Sequence, residues 1–547
     1  MPVGGSVHGP KYIPTPVHLH GNNESTFAEV RREMLGQRTI SQTVSETSPS
    51  QLGQKPVTTS NANTNSKITS SLKSTAAKAG WTTTKKIIVG VIIGSVVVAA
   101  IVIAIVVGVV LSRRSNSTAT QTTTQATSVT IVYWSFDAIT TDLYNVYNGI
   151  LVNSPSYFAN TINCPYVGNG RGLSLTSSSN QYFTVSSPFL DLSNKSFTIE
   201  AWIYPIIGST ADFGIFGQCQ CGSCSNQCLY FIIRSYNLYV SFMNNDLIGS
   251  ITLSNSIWYH VAFVYNYNTK QQILYVNGVQ DTIKSNANAY QGTNGSLLIG
   301  AAQEYLTTSY FNGYIDNFKI STTAKSATDI LSLASVTAYF SFDLLNPSND
   351  NGPLGLNGTA VNTAIIPGRV NQAMRFSGSS SYFYAYGFYQ VGYGVLANKP
   401  FSISFWINPT AIASCAIIQT TVSSTSSGCY NFLGFYSAAG STMQIVVQGY
   451  AWYSIYGPFI TTNTWTHIST TYSQTNGLRL YVNGALFGNT GTFTFSNSGR
   501  IMYLQLGYNY GCSSSSISNA AFQGSMDEVY VHSREITQSE ITALANP

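Results

Sequence analysis

The chain has 547 residues and a formal net charge of +5, but charged residues make up only 8% of it, whereas aromatic residues make up 13%. The positive charge is concentrated in residues 1–86, which carry ten Lys and Arg against four Asp and Glu. Such a tail suits an anionic membrane surface and gives no argument for nucleic-acid binding. The polar-aromatic remainder is more typical of an extracellular sheet protein than of a cytosolic one.

Residues 1–86 are rich in Ser, Thr, Gln and Asn, so we expect a disordered tail. The run 87–111 contains no charged residue and would span roughly 37 Å as a helix, enough to cross a bilayer with some tilt. More basic residues lie just before this run, all of them lysines, than just after it. This asymmetry predicts a cytoplasmic N-terminus. The pattern indicates an uncleaved signal anchor in the plasma membrane, with residues 112–547 outside. Gly90 and Gly94 would allow two such helices to pack as a homodimer.

Residues 112–128 form a Ser/Thr/Gln-rich segment that we interpret as a flexible stalk. All eight cysteines follow residue 128, on the predicted outer side, where an oxidising compartment favours disulfides. The outer sequons predict glycosylation at Asn116, Asn194, Asn294 and Asn357.

From residue 129 onward, short apolar runs alternate with polar residues at period two and are separated by Gly, Asn and Ser clusters, which is typical of strands. Five motifs then recur in the same order: 133–137 as 339–343, 196–205 as 400–409, 258–260 as 465–467, 274–278 as 480–484, and 313–316 as 524–527. The repeat predicts two tandem domains, 129–334 and 335–547. Each ends in a short helix opened by a capping box, Ser326-x-x-Asp329 and Thr537-x-x-Glu540. We therefore predict an all-β chain of two antiparallel β-sandwiches.

The ordered motifs Y-x-S-F-D, F-x-I-x-x-W-I-x-P, W-x-H, L-Y-V-N-G and G-x-x-D resemble the laminin-G-like jelly roll of the concanavalin A-like lectin/glucanase superfamily. The resemblance covers about 130–334 and 336–547 and implies extracellular modules that bind glycans or proteins. Many members carry a loop-bound Ca²⁺.

The resemblance also implies that the first and last strands of each domain are close in space. Asp137 would then approach Asp316, and Asp343 would approach Asp527, as a calcium site in each domain. Further oxygens would come from Asp142 or Asp350 and from loop carbonyls, because Ca²⁺ takes six to eight oxygen ligands. The alternative is that each Asp only accepts backbone N–H bonds at a turn.

No catalytic residue is predicted. Glycan hydrolases of this superfamily carry E-x-D-x-x-E on one strand, whereas Glu200 stands alone in its strand and Ser404 replaces it in the second copy. His260 and His467, at matching positions after a Trp, are expected to be packed strand histidines.

The cysteines of 219–228 fit either a metal knuckle or two disulfides, and the predicted outer location favours disulfides. The nested pairs Cys219–Cys228 and Cys221–Cys224 are geometrically easiest, although three connectivities are possible. Alignment of Cys228 with Cys429 predicts a Cys415–Cys429 bond. Cys164 and Cys512 remain, one in each domain, and either a bond between them or a bond between two molecules is open.

Aromatic residues crowd the segments 382–389 and 450–456, and a strand cannot point all of them inward. We expect several to be exposed as stacking residues for a ligand, and the alternative is ordinary sheet packing. The candidates are Tyr384, Tyr386, Tyr389, Trp452 and Tyr453.

The sequence therefore predicts a single-pass membrane protein that displays two domains for recognition of a glycan or protein, or for adhesion. A membrane-tethered glycan-processing enzyme and a structural coat protein without a specific ligand are the alternatives.

Overall fold

The computed structural model describes residues 129–159, 170–343, 345–378, 380–391, 398–411, 413–424, 430–437, 443–448, 453–495, 500–507, 517 and 520–547. The predicted tail, membrane segment and stalk lie outside these residues, as do Asn116, Cys164, Cys429, Trp452 and Cys512. Within the described ranges, no helix has the length and hydropathy that a membrane crossing requires.

Residues Val129–Pro547 belong to one compact unit. It contains two lobes of the same architecture, which we call lobe 1 (129–335) and lobe 2 (336–547). Helix α1 (Ala327–Ser335) ends lobe 1, and helix α2 (Gln538–Leu544) lies near the end of lobe 2. Strand β18 (Val336–Phe340) follows α1 with no residue between them.

Lobe 1 is built from two antiparallel sheets. The first sheet contains β1 (Ile131–Trp134), β3 (Ser156–Ala159), β4 (Arg171–Leu175), β6 (Phe197–Pro205), β11 (Tyr259–Asn266), β12 (Gln271–Val276), β13 (Val279–Lys284) and β17 (Gly313–Ser321), in the order β13-β12-β11-β6-β17-β4-β3, with β1 also paired to β17. The second sheet contains β2 (Ile150–Val152), β5 (Tyr182–Val185), β7 (Phe213–Cys219), β8 (Cys228–Arg234), β9 (Asn237–Ser241), β10 (Asp246–Thr252) and β14 (Leu297–Ile299), in the order β10-β9-β8-β7-β14-β5-β2. A separate two-stranded hairpin packs on β7, and we call it the cover hairpin: β15 (Ala301–Glu304) and β16 (Thr307–Tyr310).

Lobe 2 repeats this plan. Its first sheet contains β18, β20 (Ala364–Pro367), β21 (Gln372–Ser377), β23 (Phe401–Pro409), β28 (Thr466–Ser473), β29 (Gly477–Val482), β30 (Ala485–Asn489) and β33 (Gln523–His532), in the order β20-β21-β33-β23-β28-β29-β30, with β18 paired to β33. Its second sheet contains β19 (Gly358–Val361), β22 (Tyr382–Phe388), β24 (Cys415–Thr421), β25 (Tyr430–Ser437), β26 (Met443–Gln448), β27 (Ser454–Phe459) and β31 (Met502–Leu506), in the order β19-β22-β31-β24-β25-β26-β27. The short β32 (Ala520–Ala521) pairs with β24 in parallel.

Each lobe has its own apolar core between its two sheets. The alternation seen in the sequence of β6 places Phe197, Ile199 and Ile203 in the core of lobe 1, and all three are fully buried. In lobe 2, Phe340 of the first sheet meets Phe383 of the second edge to face, with ring centroids 4.8 Å apart. Two sheets that share one buried layer form a sandwich, which is the predicted fold class.

The turns and helix starts follow from local sequence, and the helix starts have the predicted capping boxes. Asn277 and Gly278 both have positive φ between β12 and β13, as a two-residue hairpin turn requires, and Asn483-Gly484 repeats this in lobe 2. Both helices begin with a complete capping box, on Ser326 in α1 and on Thr537 in α2.

A loop of lobe 2 lies against the outer face of the first sheet of lobe 1. Its centre is Asp350, whose carboxylate accepts the backbone N–H groups of Tyr339, Gly352 and Leu356 at 2.7–2.8 Å. Leu354 of this loop packs on an apolar cluster that joins Trp258 of lobe 1 to the core of lobe 2. The lobes are therefore held together by apolar contact as well as by the chain.

The matching loop of lobe 1 is folded in the same way but lies on the surface. Asp142 accepts the backbone N–H groups of Tyr144, Val146 and Tyr147. The side chains of Leu143 and Val146 are 42% and 52% exposed. Asp142 and Asp350 thus shape these loops by accepting backbone N–H bonds, and their role as additional calcium ligands stays a prediction.

Candidate binding site

Three tyrosines project from the outer face of the second sheet of lobe 2. Strand β22 alternates strictly at its start, so that Phe383 and Ala385 enter the core while Tyr382, Tyr384 and Tyr386 point away from it. These tyrosines are half-buried, and the rings of Tyr382 and Tyr384 stack with centroids 6.0 Å apart.

Strand β31 extends this aromatic surface. Tyr503 is opposite Tyr386 in the strand pairing, and its ring centroid lies 4.7 Å from that of Tyr386 and 6.1 Å from that of Tyr384. We call Tyr382, Tyr384, Tyr386 and Tyr503 the tyrosine row. The rings are neighbours across two strands and present one continuous aromatic surface.

An unpartnered amide lies next to the tyrosine row. Gln505 is opposite Tyr384 on one side and Gln419 on the other, so the three side chains share the outer face. Gln505 is 1% exposed, and neither its Oε1 nor its Nε2 has a hydrogen-bond partner. Leaving a buried polar group unpaired costs about 1–3 kcal/mol, so this amide is suited to polar groups supplied by water or a ligand.

The predicted aromatic candidates have different positions in the structure. Tyr384 and Tyr386 belong to the tyrosine row, whereas Tyr453 is 40% exposed and stacks on Phe493, with ring centroids 4.3 Å apart. The expectation for Tyr389 is wrong, because it is only 8% exposed. Tyr389 has the same parity in the strand as Phe383 and Ala385, whose side chains enter the core, and a bulge near Gly387 turns Phe388 inward as well.

The carboxylates of the predicted acidic pair in lobe 1 interact electrostatically. Burial raises the pKa of Asp316 well above its ordinary value, and the charge of Asp137 raises it further. Asp137 Oδ1 accepts the backbone N–H of Arg171 at 2.7 Å, and Asp316 Oδ1 accepts that of Asn317 at 2.8 Å.

The acidic pair of lobe 2 is similar but has an unused oxygen. Burial raises the pKa of Asp527 to about 7, and the charges of Glu528 and Asp343 add to the rise. Asp527 Oδ2 accepts the backbone N–H groups of Arg369 and Val370 at 2.8 and 2.9 Å. Asp527 Oδ1 is buried and has no partner.

This geometry is compatible with both interpretations of the acidic residues, as a calcium site and as acceptors of backbone N–H bonds at turns. The members of each pair approach one another, and each also accepts backbone N–H bonds. Among the described residues, no three His, Cys, Asp or Glu side chains form a group that could hold a metal. In lobe 2, Asp343 and Asp527 fit a cation best, because Asp527 Oδ1 is an uncommitted oxygen.

Glu200, the carboxylate of β6, is committed to an ion pair. It is 2% exposed and lies 2.6 Å from Lys325 Nζ. Burial acts to raise the pKa of Glu200, but the charges of Lys325 and Lys319 outweigh it and the pKa is lowered. The neighbouring His260 is buried, which lowers its pKa to about 4. Both groups line a cavity of about 10 Å³, which has room for one water molecule.

The matching positions in lobe 2 carry no charge. Ser404 replaces Glu200 and accepts a hydrogen bond from Ser469 at 2.7 Å. Burial lowers the pKa of His467 to about 4, and its ring lies against Trp406 with centroids 5.2 Å apart. The two strand histidines are packed side chains, as expected.

The cysteines of 219–228 form the nested pairing, with Cys219 bonded to Cys228 and Cys221 bonded to Cys224. The expected Cys415–Cys429 bond needs correction, because Cys415 is a buried free cysteine. Cys219 is the last residue of its strand, whereas Cys415 is the first residue of β24 and pairs with Phe435. Tyr430, the neighbour of Cys429 in sequence, pairs with Thr420 at the other end of the hairpin.

Three of the predicted glycosylation residues are on the surface. The described residues Asn194, Asn294 and Asn357 are all exposed.

A family model for the concanavalin A-like lectin/glucanases superfamily matches residues 177–331 and 383–542, more than half of the chain. The chain belongs to this superfamily. The two matches fall one in each lobe, so both are copies of the laminin-G-like domain.

Solved structures with some similarity include domain 4 of AbnA, a GH43 extracellular arabinanase from Geobacillus stearothermophilus in complex with arabinotriose, at 19% identity over 39% of this chain and 98% of that one, with a TM-score of 0.30. The CBM40 of the Ruminococcus gnavus IT-sialidase bound to α2,3-sialyllactose is 17% identical over 26% and 84%, with a TM-score of 0.23. The binding domain of Paraclostridial Mosquitocidal Protein 1 is 13% identical over 74% and 90%, with a TM-score of 0.31. No curated protein matches the chain.

Proposed function

We propose that lobe 2 binds a neutral glycan on the tyrosine row and that the protein is a surface recognition molecule. The observation that carries this proposal is the continuous aromatic surface beside the buried, unpartnered amide of Gln505. Sugar rings present C–H faces that stack on aromatic rings and hydroxyl groups that pair with amides.

The absence of charge on this face supports a neutral ligand. The outward positions described on β22, β31 and β24 carry no charged side chain: Tyr382, Tyr384, Tyr386, Tyr503, Gln505, Gln419 and Thr421. An acidic glycan would lose hydration on this surface without gaining an opposite charge.

A binding role is favoured over hydrolysis. Retaining or inverting hydrolysis needs two carboxyl groups on opposite sides of a bound sugar. The buried Glu200 is paired with Lys325, and Oδ1 of Asp137 and Oδ1 of Asp343 each accept a backbone N–H group. We therefore include no catalytic step in the proposal.

The anchor at 87–111 is part of the same proposal. It is supported by the uncharged run and by the excess of Lys before it over basic residues after it. Protease treatment of sealed cells should leave an N-terminal epitope intact and remove the lobes. Loss of the N-terminal epitope from outside would contradict the orientation.

Glycan binding is tested with the full chain in detergent on an array of neutral and acidic glycans. Tyr386→Ala should weaken binding about 2- to 13-fold, because one aromatic contact contributes about 0.5–1.5 kcal/mol. Gln505→Leu, which copies Leu298 of lobe 1, should also weaken it. Thr184→Ala, at the position of lobe 1 that matches Tyr384, is the control and should leave binding unchanged.

Three outcomes would contradict the proposal. The first is binding to a protein but to no glycan, and the second is binding that Tyr386→Ala and Gln505→Leu do not alter. The third is release of new reducing ends from a bound glycan, which would favour the glycan-processing alternative.

We also propose that Asp343 and Asp527 hold Ca²⁺ in lobe 2. A cation there would favour the ionised form of Asp527, which burial and the neighbouring carboxylates disfavour, and would bind its free Oδ1. At a concentration 100 times its Kd, Ca²⁺ should stabilise the folded state by about 2.7 kcal/mol. Calorimetry with Ca²⁺ and with chelator measures this, and Asp527→Asn should remove the shift. Equal melting temperatures in both conditions would exclude the site.

A further inference from the structure

Two disulfides lie in the hairpin formed by β7 and β8, and they differ in location. Cys219–Cys228 joins residues that face each other in the strand pairing, and Cys228 is fully buried. Cys221–Cys224 lies inside the loop that the first bond closes. Both of its cysteines are partly exposed, and Ser223 between them is exposed. Cys219 is partly exposed as well, so a reductant can reach both sulfurs of the inner bond but only one sulfur of the outer bond.

Backbone hydrogen bonds hold this loop together with the inner bond. Cys224 N–H donates to the carbonyl of Cys221 at 3.3 Å, and Gln227 N–H donates to that of Cys224 at 3.2 Å. Gln220 N–H also donates to the carbonyl of Gln227 at 2.9 Å. With Cys219–Cys228 intact, the inner bond closes a ring of sequence separation 3, and so short a ring removes little entropy from the unfolded chain.

We infer that Cys221–Cys224 is a reversible thiol–disulfide exchange site for dithiols. Exposed disulfides that add little stability are the labile ones, and the C-x-x-C spacing lowers the pKa of the reduced cysteines in other proteins. The Ser223 hydroxyl lies 3.8 Å from Cys221 Sγ and can donate to a thiolate that develops there. This favours attack at Cys224 Sγ, with Cys221 as the leaving group.

The exchange balances with a dithiol as the two-electron reductant. One of its thiolates attacks Cys224 Sγ, the Cys221–Cys224 bond breaks, and a mixed disulfide forms while Cys221 Sγ takes up a proton. The second thiol of the reductant then displaces Cys224 Sγ. The products are two protein thiols and the oxidised dithiol, which is a cyclic disulfide for a small molecule or a disulfide within a protein reductant.

The turn of the cover hairpin rests on this loop. A Cβ added to Gly222 would come within 2.0 Å of the carbonyl oxygen of Tyr305, and Gln303 Nε2 would lie 3.0 Å from it. Cys228 Sγ is 3.3 Å from the carbonyl oxygen of Gln303. Glu304 also pairs with Arg234, which holds the end of β15 independently of the cysteines. Opening the inner bond therefore loosens the turn at Tyr305 and leaves the rest of the cover hairpin in place.

The experiment titrates the full chain in detergent with dithiothreitol, followed by alkylation and peptide mass spectrometry. Cys221 and Cys224 should become alkylated at a dithiothreitol concentration at least ten times lower than Cys219 and Cys228. At an intermediate dithiothreitol concentration that opens only the inner bond, hydrogen–deuterium exchange is then measured. Deuterium uptake should rise in the peptide that contains Tyr305 and should stay constant in peptides of β11 and β12.

The double variant Cys221→Ser, Cys224→Ser provides the control. Its uptake at Tyr305 should match that of the selectively reduced parent and should not respond to intermediate dithiothreitol. Opening of Cys219–Cys228 first, or of both bonds together, would overturn the exchange site. Selective opening with no change at Tyr305 would overturn the coupling to the cover hairpin.

Discussion

The outer face of the second sheet carries different side chains at matching positions in the two lobes. In lobe 1 the row across β5, β14 and β7 is Thr184, Leu298 and Gly217, and Gly217 lies directly beneath the cover hairpin. In lobe 2 the same row, across β22, β31 and β24, is Tyr384, Gln505 and Gln419. The comparison shows that the two domains share an apolar core but differ on this outer face, where only lobe 2 has aromatic and amide groups in the row.

The first sheets differ in the opposite sense, because lobe 1 has a buried charge pair where lobe 2 has neutral groups. Glu200 and Lys325 correspond to Ser404 and Ile536. In β17 and β33 the lobes differ the other way, because lobe 1 has the neutral Asn317 where lobe 2 has the acidic Glu528. Each of these exchanges can be made by mutation, so the other lobe supplies the control residue.

The largest effect is expected for Lys325→Met. It leaves Glu200 buried without its positive partner, and breaking a buried ion pair in this way costs about 3–5 kcal/mol. Denaturant unfolding of the full chain should show a free energy of unfolding that is lower by this amount, with the transition midpoint at a lower denaturant concentration.

The double variant Glu200→Ser, Lys325→Ile copies the neutral pair of lobe 2 and should recover most of the loss, because no unpaired charge remains. If the double variant is as unstable as Lys325→Met, the loss comes from packing around Lys325 and not from the charge.

The next effect concerns the loops centred on Asp142 and Asp350. Leu354→Ala should lower the free energy of unfolding by about 1–2 kcal/mol, because Leu354 is partly buried between the lobes. Val146→Ala in the exposed loop of lobe 1 should change it by less than about 0.5 kcal/mol. Thermal unfolding of both variants measures the difference, and equal effects would argue against packing between the lobes.

Glu528→Asn should stabilise lobe 2 by about 1 kcal/mol at pH 8. Glu528 has φ +52°, a left-handed conformation that Asn tolerates better than Glu, and Asn317 has φ +50° at the matching position. Burial raises the pKa of Glu528 from 4.5 to about 7, and the charge of Asp343 adds to the rise. The Tyr339 hydroxyl donates to Glu528 at 2.9 Å, as the Tyr133 hydroxyl donates to Asn317.

The sign of the pH dependence is set by this raised pKa. The stability contributed by protonated Glu528 is fully present below pH 4.5 and is lost as the pH rises through about 7. The advantage of Glu528→Asn should therefore grow between pH 5 and 8 in denaturant titrations. Buried His467 and His532 have pH dependences of the opposite sign to that of Glu528, but they are common to both proteins and cancel in the difference. Asp527 does not cancel, because the charge of Glu528 raises its pKa, and removing that charge adds to the advantage of the variant at high pH. A difference that is constant with pH would contradict a raised pKa.

The smallest effect is expected at the helix caps. Ser326→Ala and Thr537→Ala each remove one half of a capping box and should cost about 0.5–1 kcal/mol. Melting temperatures of the two variants should fall by similar amounts. No change in either would show that the helix ends are held mainly by their tertiary contacts.

The domain repeat and the strand pattern could be predicted because they rest on local periodicity. Phe197, Ile199 and Ile203 alternate with residues of the other face, and Asn277-Gly278 has the backbone freedom its turn needs. No local sequence pattern identifies Gln505 as a candidate binding residue. Its place in the site depends on pairing with Tyr384, in a strand more than a hundred residues away. Its only sequence signal is the alternation of Tyr503 and Gln505 with Met502, Leu504 and Leu506.

The errors arose where one residue changes the register of a strand. The bulge near Gly387 moves Phe388 into the core, although the alternation would place it on the face of Tyr384 and Tyr386, and Tyr389 beside it is also buried. Aligning cysteines by their neighbours in sequence failed for Cys415 because it starts a strand whereas Cys219 ends one. Such shifts are set by tertiary contacts, which single-strand patterns do not contain.

The pairing of β1 with β17 determines how lobe 1 responds to a mechanical pull. Ile131 at the start of β1 is opposite Ser321 at the end of β17, and Thr322 N–H donates to the carbonyl of Thr130 at 2.9 Å. The start of β1 and the end of β17 therefore lie side by side at the same end of the sheet. A force applied between residue 129 and lobe 2 would load these hydrogen bonds one after another, as in unzipping, and not together, as in shear. The apolar contact at Leu354 carries part of that load, because it joins the lobes away from the point where β1 would begin to peel.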